Sequence, residues 1–504
     1  MDFSSAKDSD ALDYEGVTRG RRRAQDREDI STDWEVFNRR QEHAPDTPAA
    51  SVSEPVPSTD SKVKNGWRGK RGHAISFAGF FLFSVVLYFR PYELIPGLSG
   101  LMFMAFYIGL FTLIVFVITQ IAVEGNITAL TKEVILVALL GIAGLLSIPL
   151  AINPAEAWQN YSEILIKALL MFIVLVNVVR TGNRLMMLLW LALIVSVYLS
   201  VNAISDYQKG IFVIGKADLA RIGGSIGGLF KNSNDLALHL VTMVPIAVCL
   251  GLITKGPLRK IIYWATAALM VSATIVTFSR GGFLGLIGVV LVFAYKLGKK
   301  NKVATFATLG LAAVLFVAFA PGSYGDRLGT IFNSAADLSG SSSQRTQVLK
   351  RSVIVALRYP IFGVGIGNFH HRSFQELGTH NAYTQVASEM GIAAFVIYVM
   401  FLLYPLKRLR QIEKETFGKK EDRRFYYMSI GLQASLIGYM VSSFFGAVAY
   451  QWYIYYLVGY AVCLHRLFLM QTPALSHVSW ERPFSKKSSK TAKLVNQPTV
   501  ASMS

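Results

Sequence analysis

Apolar runs of about 18 residues or more recur along the chain, separated by short polar segments carrying Arg, Lys, Gly, Pro and Asn. A helix needs about 20 residues to cross a bilayer, and that criterion predicts about twelve spans. They lie near 74–89, 98–119, 133–151, 161–179, 184–205, 234–254, 260–279, 283–297, 303–320, 382–406, 426–445 and 450–469. The eighth is short. The pattern predicts an all-α polytopic membrane protein with polar ends.

Residues 1–72 hold too few apolar positions for a core, and Arg21, Arg22 and Arg23 are offset by Asp26, Glu28 and Asp29. A disordered cytoplasmic arm is expected there. It is not a signal peptide, because no apolar stretch follows Arg19-Gly20-Arg21 closely. Asp8-Ser9-Asp10 spells a sugar-nucleotide DxD motif, but in such an arm it reads as chance. Residues 470–504 form a second polar tail, made basic by Lys486, Lys487, Lys490 and Lys493, and weakly attracted to anionic inner-leaflet lipid.

Composition sharpens the class. Of 504 residues 53% are hydrophobic and 16% charged, against about 25% charged in soluble proteins. Mean hydropathy is +0.42. A soluble enzyme and a disordered or fibrous chain are excluded. Cys249 and Cys463 both fall in apolar runs, so no disulfide framework or CxxC metal motif exists. The net charge of +19 is spread over loops between spans, which argues against nucleic acid.

Charge also sets orientation. Arg180, Arg184, Lys255, Arg259, Lys260, Lys296 and the stretch from Lys407 to Arg424 occupy one set of alternating loops. By the positive-inside rule that set is cytoplasmic, and both termini are inside. The loops 206–233 and 321–380 then lie outside, yet they hold Lys216, Arg221, Lys231, Arg327, Arg345, Lys350, Arg351, Arg358 and Arg372. Long loops translocate largely regardless of charge, which is the plain explanation. The sharper one is an anionic ligand on that face, because arginine matches phosphate oxygens in a bidentate way.

Several segments carry candidate chemistry. Arg221-Ile-Gly-Gly-Ser-Ile-Gly-Gly-Leu-Phe-Lys231-Asn232 is a glycine-rich basic loop running into a helix that Asn232, Ser233, Asn234 or Asp235 can cap. It reads as an anion site or as a flexible loop with an ordinary cap. Ser279-Arg280-Gly281-Gly282 reads as close backbone approach to a ligand or as a hairpin whose arginine snorkels. Arg358 to Phe369 holds closely spaced glycines without the βαβ context of a dinucleotide site, so a structural turn is expected. At the start of the tenth span, His380, Thr384 and Ser388 share one helix face beside Asn381, Gln385 and Glu389. That stripe faces a cavity or a helix–helix seam. His370 and His371 are adjacent and lack helical ligand spacing, so no metal is expected. Glu163 and Lys167, one turn apart, read as mutual neutralisation or a proton relay. Tyr450, Trp452, Tyr453, Tyr455 and Tyr456 read as an interfacial aromatic belt or a sugar-stacking surface.

Taken in order, the Phe-Lys-Asn-Ser-Asn-Asp loop, Ser-Arg-Gly-Gly, the long outer loop with Pro-Ile-Phe-Gly-Val-Gly-Ile-Gly-Asn-Phe, and His-Asn followed by Gly391 resemble the O-antigen ligase and O-antigen polymerase superfamily of bacterial membrane glycosyltransferases. The resemblance is best over roughly 216–400. Phe89-Arg90-Pro91-Tyr92-Glu93 resembles an exopolysaccharide- and exosortase-associated subgroup. The implied organisation is a disordered arm over 1–72, transmembrane helices over 73–215, a ligase-related core over 216–408 that includes a periplasmic loop at 321–380, further helices over 409–469, and a basic tail over 470–504.

The resemblance implies a GT-C-like fold in the bacterial inner membrane, with about twelve transmembrane helices, a long periplasmic loop and both tails cytoplasmic. The donor would be a glycan on undecaprenyl diphosphate, the acceptor a glycan or lipid-linked sugar, with membrane lipid, a chain-length regulator and a flippase as further partners. It implies that Arg221 and Arg280 bind the diphosphate and His380 is catalytic. Arg345 is carried with the arginines without a motif of its own, and Lys231, Asn381 and Glu389 are supporting. No cofactor or metal is implied: fixed arginines can stabilise the leaving group, and no GxxxxGK[ST] sequence exists. Repeat-unit polymerisation in exopolysaccharide or lipopolysaccharide synthesis is preferred to ligation onto lipid A–core or protein. A solute or ion transporter, using Glu163, Lys167 or Glu389, is the alternative of another class.

Overall fold

The computed structural model of the chain describes residues 72–95, 97–98, 100, 103–214, 220–226, 230–298, 310 and 341–471. The expected arm over 1–72, the basic tail, Lys216, the ninth span at 303–320 and the loop 321–340 lie outside the described residues, or nearly so.

The helices are α1 (Ala74–Phe89), α2 (Pro91–Leu94), α3 (Met104–Glu124), α4 (Lys132–Ser147), α5 (Pro154–Val178), α6 (Gly182–Gln208), α7 (Ser233–Ile253), α8 (Pro257–Val276), α9 (Arg280–Gly298), α10 (Ser341–Arg358), α11 (Ala382–Met390), α12 (Ile392–Thr416), α13 (Arg423–Ser442) and α14 (Trp452–Gln471). Between α6 and α7 a short antiparallel pair forms, β1 (Val213–Ile214) with β2 (Ala220–Arg221). Local sequence explains many helix starts. The side chains of Thr131, Asn153, Thr181, Asn232 and Asn381 cap α4, α5, α6, α7 and α11, and proline opens α5 and α8.

Among the described residues ten helices are long and apolar enough to cross a membrane, so the chain is a multi-pass membrane protein. Two differences from the expected twelve have physical causes. The segment 133–151 forms only the 16-residue α4, which stops at Ser147 and falls short of a span. The tenth span does not begin at 382. Gly391, at φ 89 and ψ 173, separates α11 from α12, and the Ile392 N–H donates to the Pro360 carbonyl at 2.7 Å. Thr384, Gln385, Ser388 and Glu389 therefore sit on a separate nine-residue helix, while His380 and Asn381 precede it and do not continue its face.

α7 and α14 are the most enclosed helices, each 89% buried, whereas α3 is 22% buried. α7 packs on α8 and α13, α9 on α13, α12 on α4 and α13, and α14 on α5. The expected aromatic belt is instead core: Tyr450, Tyr453, Tyr455 and Tyr456 are all buried. Tyr455 donates to the Ala449 carbonyl, and Tyr456 meets the Ser84 hydroxyl at 2.7 Å. Amphipathic tyrosines reach partners inside the bundle, so periodicity alone misplaces them. No ion pair joins Glu163 to Lys167 among the described residues. Tyr161–Leu165 is a π-helical turn, and the Lys167 ammonium lies 5.6 Å from the Phe106 ring centre.

Candidate active site

The glycine-rich loop is anchored by apolar residues. Ile222, Ile226 and Phe230 are buried, and the Gly224 N–H donates to the Phe230 carbonyl at 2.7 Å. Gly224 is required by that closeness, since an added Cβ would stand 2.7 Å from the same oxygen. Arg221 enters the loop from β2, opposite Val213. Beyond the loop Lys231 is exposed, and the Asn232 side chain accepts from the Asn234 N–H at 2.9 Å to cap α7.

Ser279-Arg280-Gly281-Gly282 is a helix start. Phe278 takes the left-handed conformation at φ 55, and the Ser279 hydroxyl accepts from the Gly282 N–H at 3.2 Å. The glycines serve helix packing. An added Cβ at Gly281 would stand 2.7 Å from Phe445 Cβ, and one at Gly282 2.6 Å from Ala237 Cβ. The Ser279 hydroxyl also donates to Asn234 Oδ1 at 2.9 Å. That bond fixes the start of α9, and half-buried Arg280, beside the start of α7.

His380 stands immediately before α11, half-buried and in the left-handed region at φ 49. Burial holds its imidazole below the ordinary value of 6.5, and the positive charges of Arg345 and Arg221 push it the same way. Arg221 of β2 and Arg345 of α10, two predicted site residues, thereby lie within electrostatic reach of His380. Arg345 is half-buried on α10, which a small core of Val348, Val355, Val364 and Phe369 fastens to the loop after it.

The supporting residues play other parts. Asn381 is a cap, its Oδ1 accepting from the N–H groups of Tyr383 and Thr384 at 2.9 and 3.0 Å. Glu389 lies at the far end of α11 from His380. Its Oε2 accepts from the Gly367 N–H and the Tyr450 hydroxyl, both at 2.9 Å. Burial raises its carboxyl to about 7 against these hydrogen bonds, with a smaller push from Glu156. Gln385 accepts from the Ala449 N–H at 3.2 Å, so much of the stripe is a helix–helix seam. The expected turn over 358–369 is present. Gly363, Gly365 and Gly367 all have positive φ, and added Cβ atoms would meet Glu389, Ala151 and Asn160.

One grouping escaped the sequence. Glu156 of α5 meets both adjacent histidines of the loop: His371 Nε2 lies 2.9 Å from Oε2 and His370 Nε2 3.5 Å from Oε1. These are the described residues able to offer three metal-ligand atoms together, all within 4.8 Å. The expectation of no metal rested on His370-His371 spacing along a helix. The pair instead lies on a 3-10 turn, and the third group comes from 215 residues away.

Residues 265–399 match the O-antigen ligase family model. An O-antigen ligase domain is thus present over part of the chain. It runs from within α8 into α12, and holds Arg280, Arg345, His380, Asn381 and Glu389. Arg221 and Lys231 precede it. No curated protein matches the chain.

Proposed function

We propose that this protein is a metal-independent, GT-C-like membrane glycosyltransferase. It moves a glycan from undecaprenyl diphosphate to an acceptor hydroxyl at the periplasmic face of the bacterial inner membrane, with both termini cytoplasmic. The reaction serves surface polysaccharide synthesis, and repeat-unit polymerisation is preferred to ligation. The observation that carries the reading is that the positive charges of Arg345 and Arg221 both act on His380. It is supported by the O-antigen ligase domain that contains two of the three.

The acceptor oxygen bonds to the anomeric carbon as that carbon's bond to the diphosphate oxygen breaks. The leaving electron pair stays on undecaprenyl diphosphate, where Arg221, Arg280 and Arg345 offer fixed positive charge. His380 takes the acceptor's proton. A depressed imidazole stays neutral, and so able to accept a proton, to lower pH than an exposed one. A single displacement inverts the anomeric centre, and NMR of the product showing retention would refute that step.

In the transporter alternative Glu389 or Glu163 would be the coupling group; Glu389 accepts from the Gly367 N–H and the Tyr450 hydroxyl. The reading is tested in cells lacking the protein and complemented with wild type, Arg280→Ala or His380→Ala. Single lipid-linked repeats accumulating in both variants support polymerisation. Long lipid-linked chains that never reach their acceptor support ligation. Full complementation by both variants overturns glycosyl transfer.

A further inference from the structure

We propose that Glu156, His370 and His371 bind one divalent transition ion of the zinc class, and that the ion braces the loop before α11 against the start of α5. The proposal is independent of the glycosyl-transfer reading, and the ion takes no part in that chemistry.

The donor set is two imidazole nitrogens and one carboxylate oxygen. That combination suits zinc and its first-row neighbours, whereas magnesium and calcium prefer all-oxygen sites. The three ligand atoms already lie within 4.8 Å of one another. Bonds of about 2.0–2.1 Å need ligand atoms roughly 3.3 Å apart, so His371 Nε2 and Glu156 Oε2, at 2.9 Å, open slightly while the wider separations close to that value.

The hydrogen-bonding pattern leaves room for a cation, a proton or a metal ion, between His370 and Glu156. His370 Nδ1 lies 3.0 Å from the Gly367 carbonyl oxygen. A carbonyl only accepts, so Nδ1 carries the proton and a neutral ring has its lone pair on Nε2. That lone pair faces Glu156 Oε1 at 3.5 Å, an acceptor against an acceptor. A proton on Nε2 removes the conflict as an ion pair, and a metal ion removes it by taking the lone pair; the two differ in the metal titration below. The backbone bond at Nδ1 is also the usual outer contact that orients a metal-ligating histidine. His371 Nε2 lies close to Oε2 and becomes a ligand by carrying its proton on Nδ1 instead.

The surroundings hold the three groups in place while leaving the ion access. The Glu156 N–H donates to Asn153 Oδ1 at 3.3 Å. The Asn153 N–H donates to Asn368 Oδ1 at 2.6 Å and the Ile152 N–H to the Val364 carbonyl at 3.1 Å. The two strands of the site are therefore tied together beside the ligands. The ligand side chains are 28–31% exposed, so solvent can deliver the ion and a water can complete its shell. Phe369, next to the histidines, packs with Val348 and Val355 of α10, the helix that carries Arg345. Ion binding would stiffen the support of Arg345 without touching it.

The test uses full-length protein in detergent, stripped with a chelator, and Zn²⁺ or Co²⁺ alone as the probe. One saturable equivalent per chain is expected by calorimetry, with a visible Co²⁺ absorption band and a rise in melting temperature. Millimolar Mg²⁺ should not displace it. Glu156→Gln and His371→Gln keep size and polarity, and each should weaken binding at least about 10-fold and abolish the melting shift. Absence of a saturable site overturns the proposal. So does binding with an unchanged melting shift in the His370→Gln, His371→Gln double variant.

Discussion

The hydroxyl of Ser279 donates to Asn234 Oδ1 at 2.9 Å across 45 residues of sequence. Two segments that each look ordinary, one ending the glycine-rich loop and one opening α9, are joined by this bond. Ser279→Ala should cost only about 1 kcal/mol of stability. Its effect on glycan transfer should be larger, roughly 10- to 100-fold, because Arg280 loses its placement. Turnover of lipid-linked substrate by purified variant, normalised to folded protein, is the measurement. A loss no greater than the loss of folded protein would deny the Ser279 bond its part in placing Arg280.

Arg345 and Arg221 both disfavour a charged His380. Removing Arg345 should let the imidazole rise toward 6.5, so that it protonates at higher pH. In Arg345→Gln the acid limb of the kcat/KM profile should move to higher pH, beside any loss of rate. An unmoved limb with lower rate would leave Arg345 as a diphosphate ligand without influence on the base.

Glu389 titrates near 7 when folded against an ordinary value of 4.5. Between those values the folded chain keeps a proton that the unfolded chain releases. Stability therefore falls as pH rises through that window and levels off above about 7. Glu389→Gln should remove this slope, making the variant gain on wild type between pH 5 and pH 8 in thermal melts. Glu389→Ala should lose stability at both pH values, because the Gly367 N–H and the Tyr450 hydroxyl are left unmet at about 1–3 kcal/mol each.

Gly391 combines a positive φ of 89° with close packing, since an added Cβ would stand 2.8 Å from the Pro360 carbonyl oxygen. Gly210 has φ 69° and nothing within 4 Å of such a Cβ. Gly391→Ala should abolish folded protein, whereas Gly210→Ala should cost about 1–2 kcal/mol from backbone strain alone. Size-exclusion profiles of the two variants in detergent separate the cases.

How far the sequence speaks depends on the range of the interaction. Asn381 and Asn232 lie beside the N–H groups they cap, so their sequence positions suffice to mark the helix starts. Gly363, Gly365 and Gly367 show as closely spaced turn glycines. What they make room for, Glu389, Ala151 and Asn160, does not show. The tyrosines of 450–456 carry the same periodicity whether they face lipid headgroups or the bundle interior. Their burial against Glu389, Ala449 and Ser84 was invisible for that reason. Ala382, Val386 and Met390, interleaved with the polar stripe, extend the apolar pattern of the tenth span back to 382, whereas the long helix begins only after Gly391.

By itself the sequence determined the membrane class, most of the spans and the arginine- and histidine-bearing segments, because hydropathy and capping act within a few residues of chain. Only the tertiary structure decided which of those segments meet. It put His380 within the electrostatic influence of Arg221 and Arg345, tied Glu389 to the Gly367 N–H, and brought Glu156 to His370 and His371. Each of these depends on helices packing across tens to hundreds of residues, and no local spacing encodes such contacts.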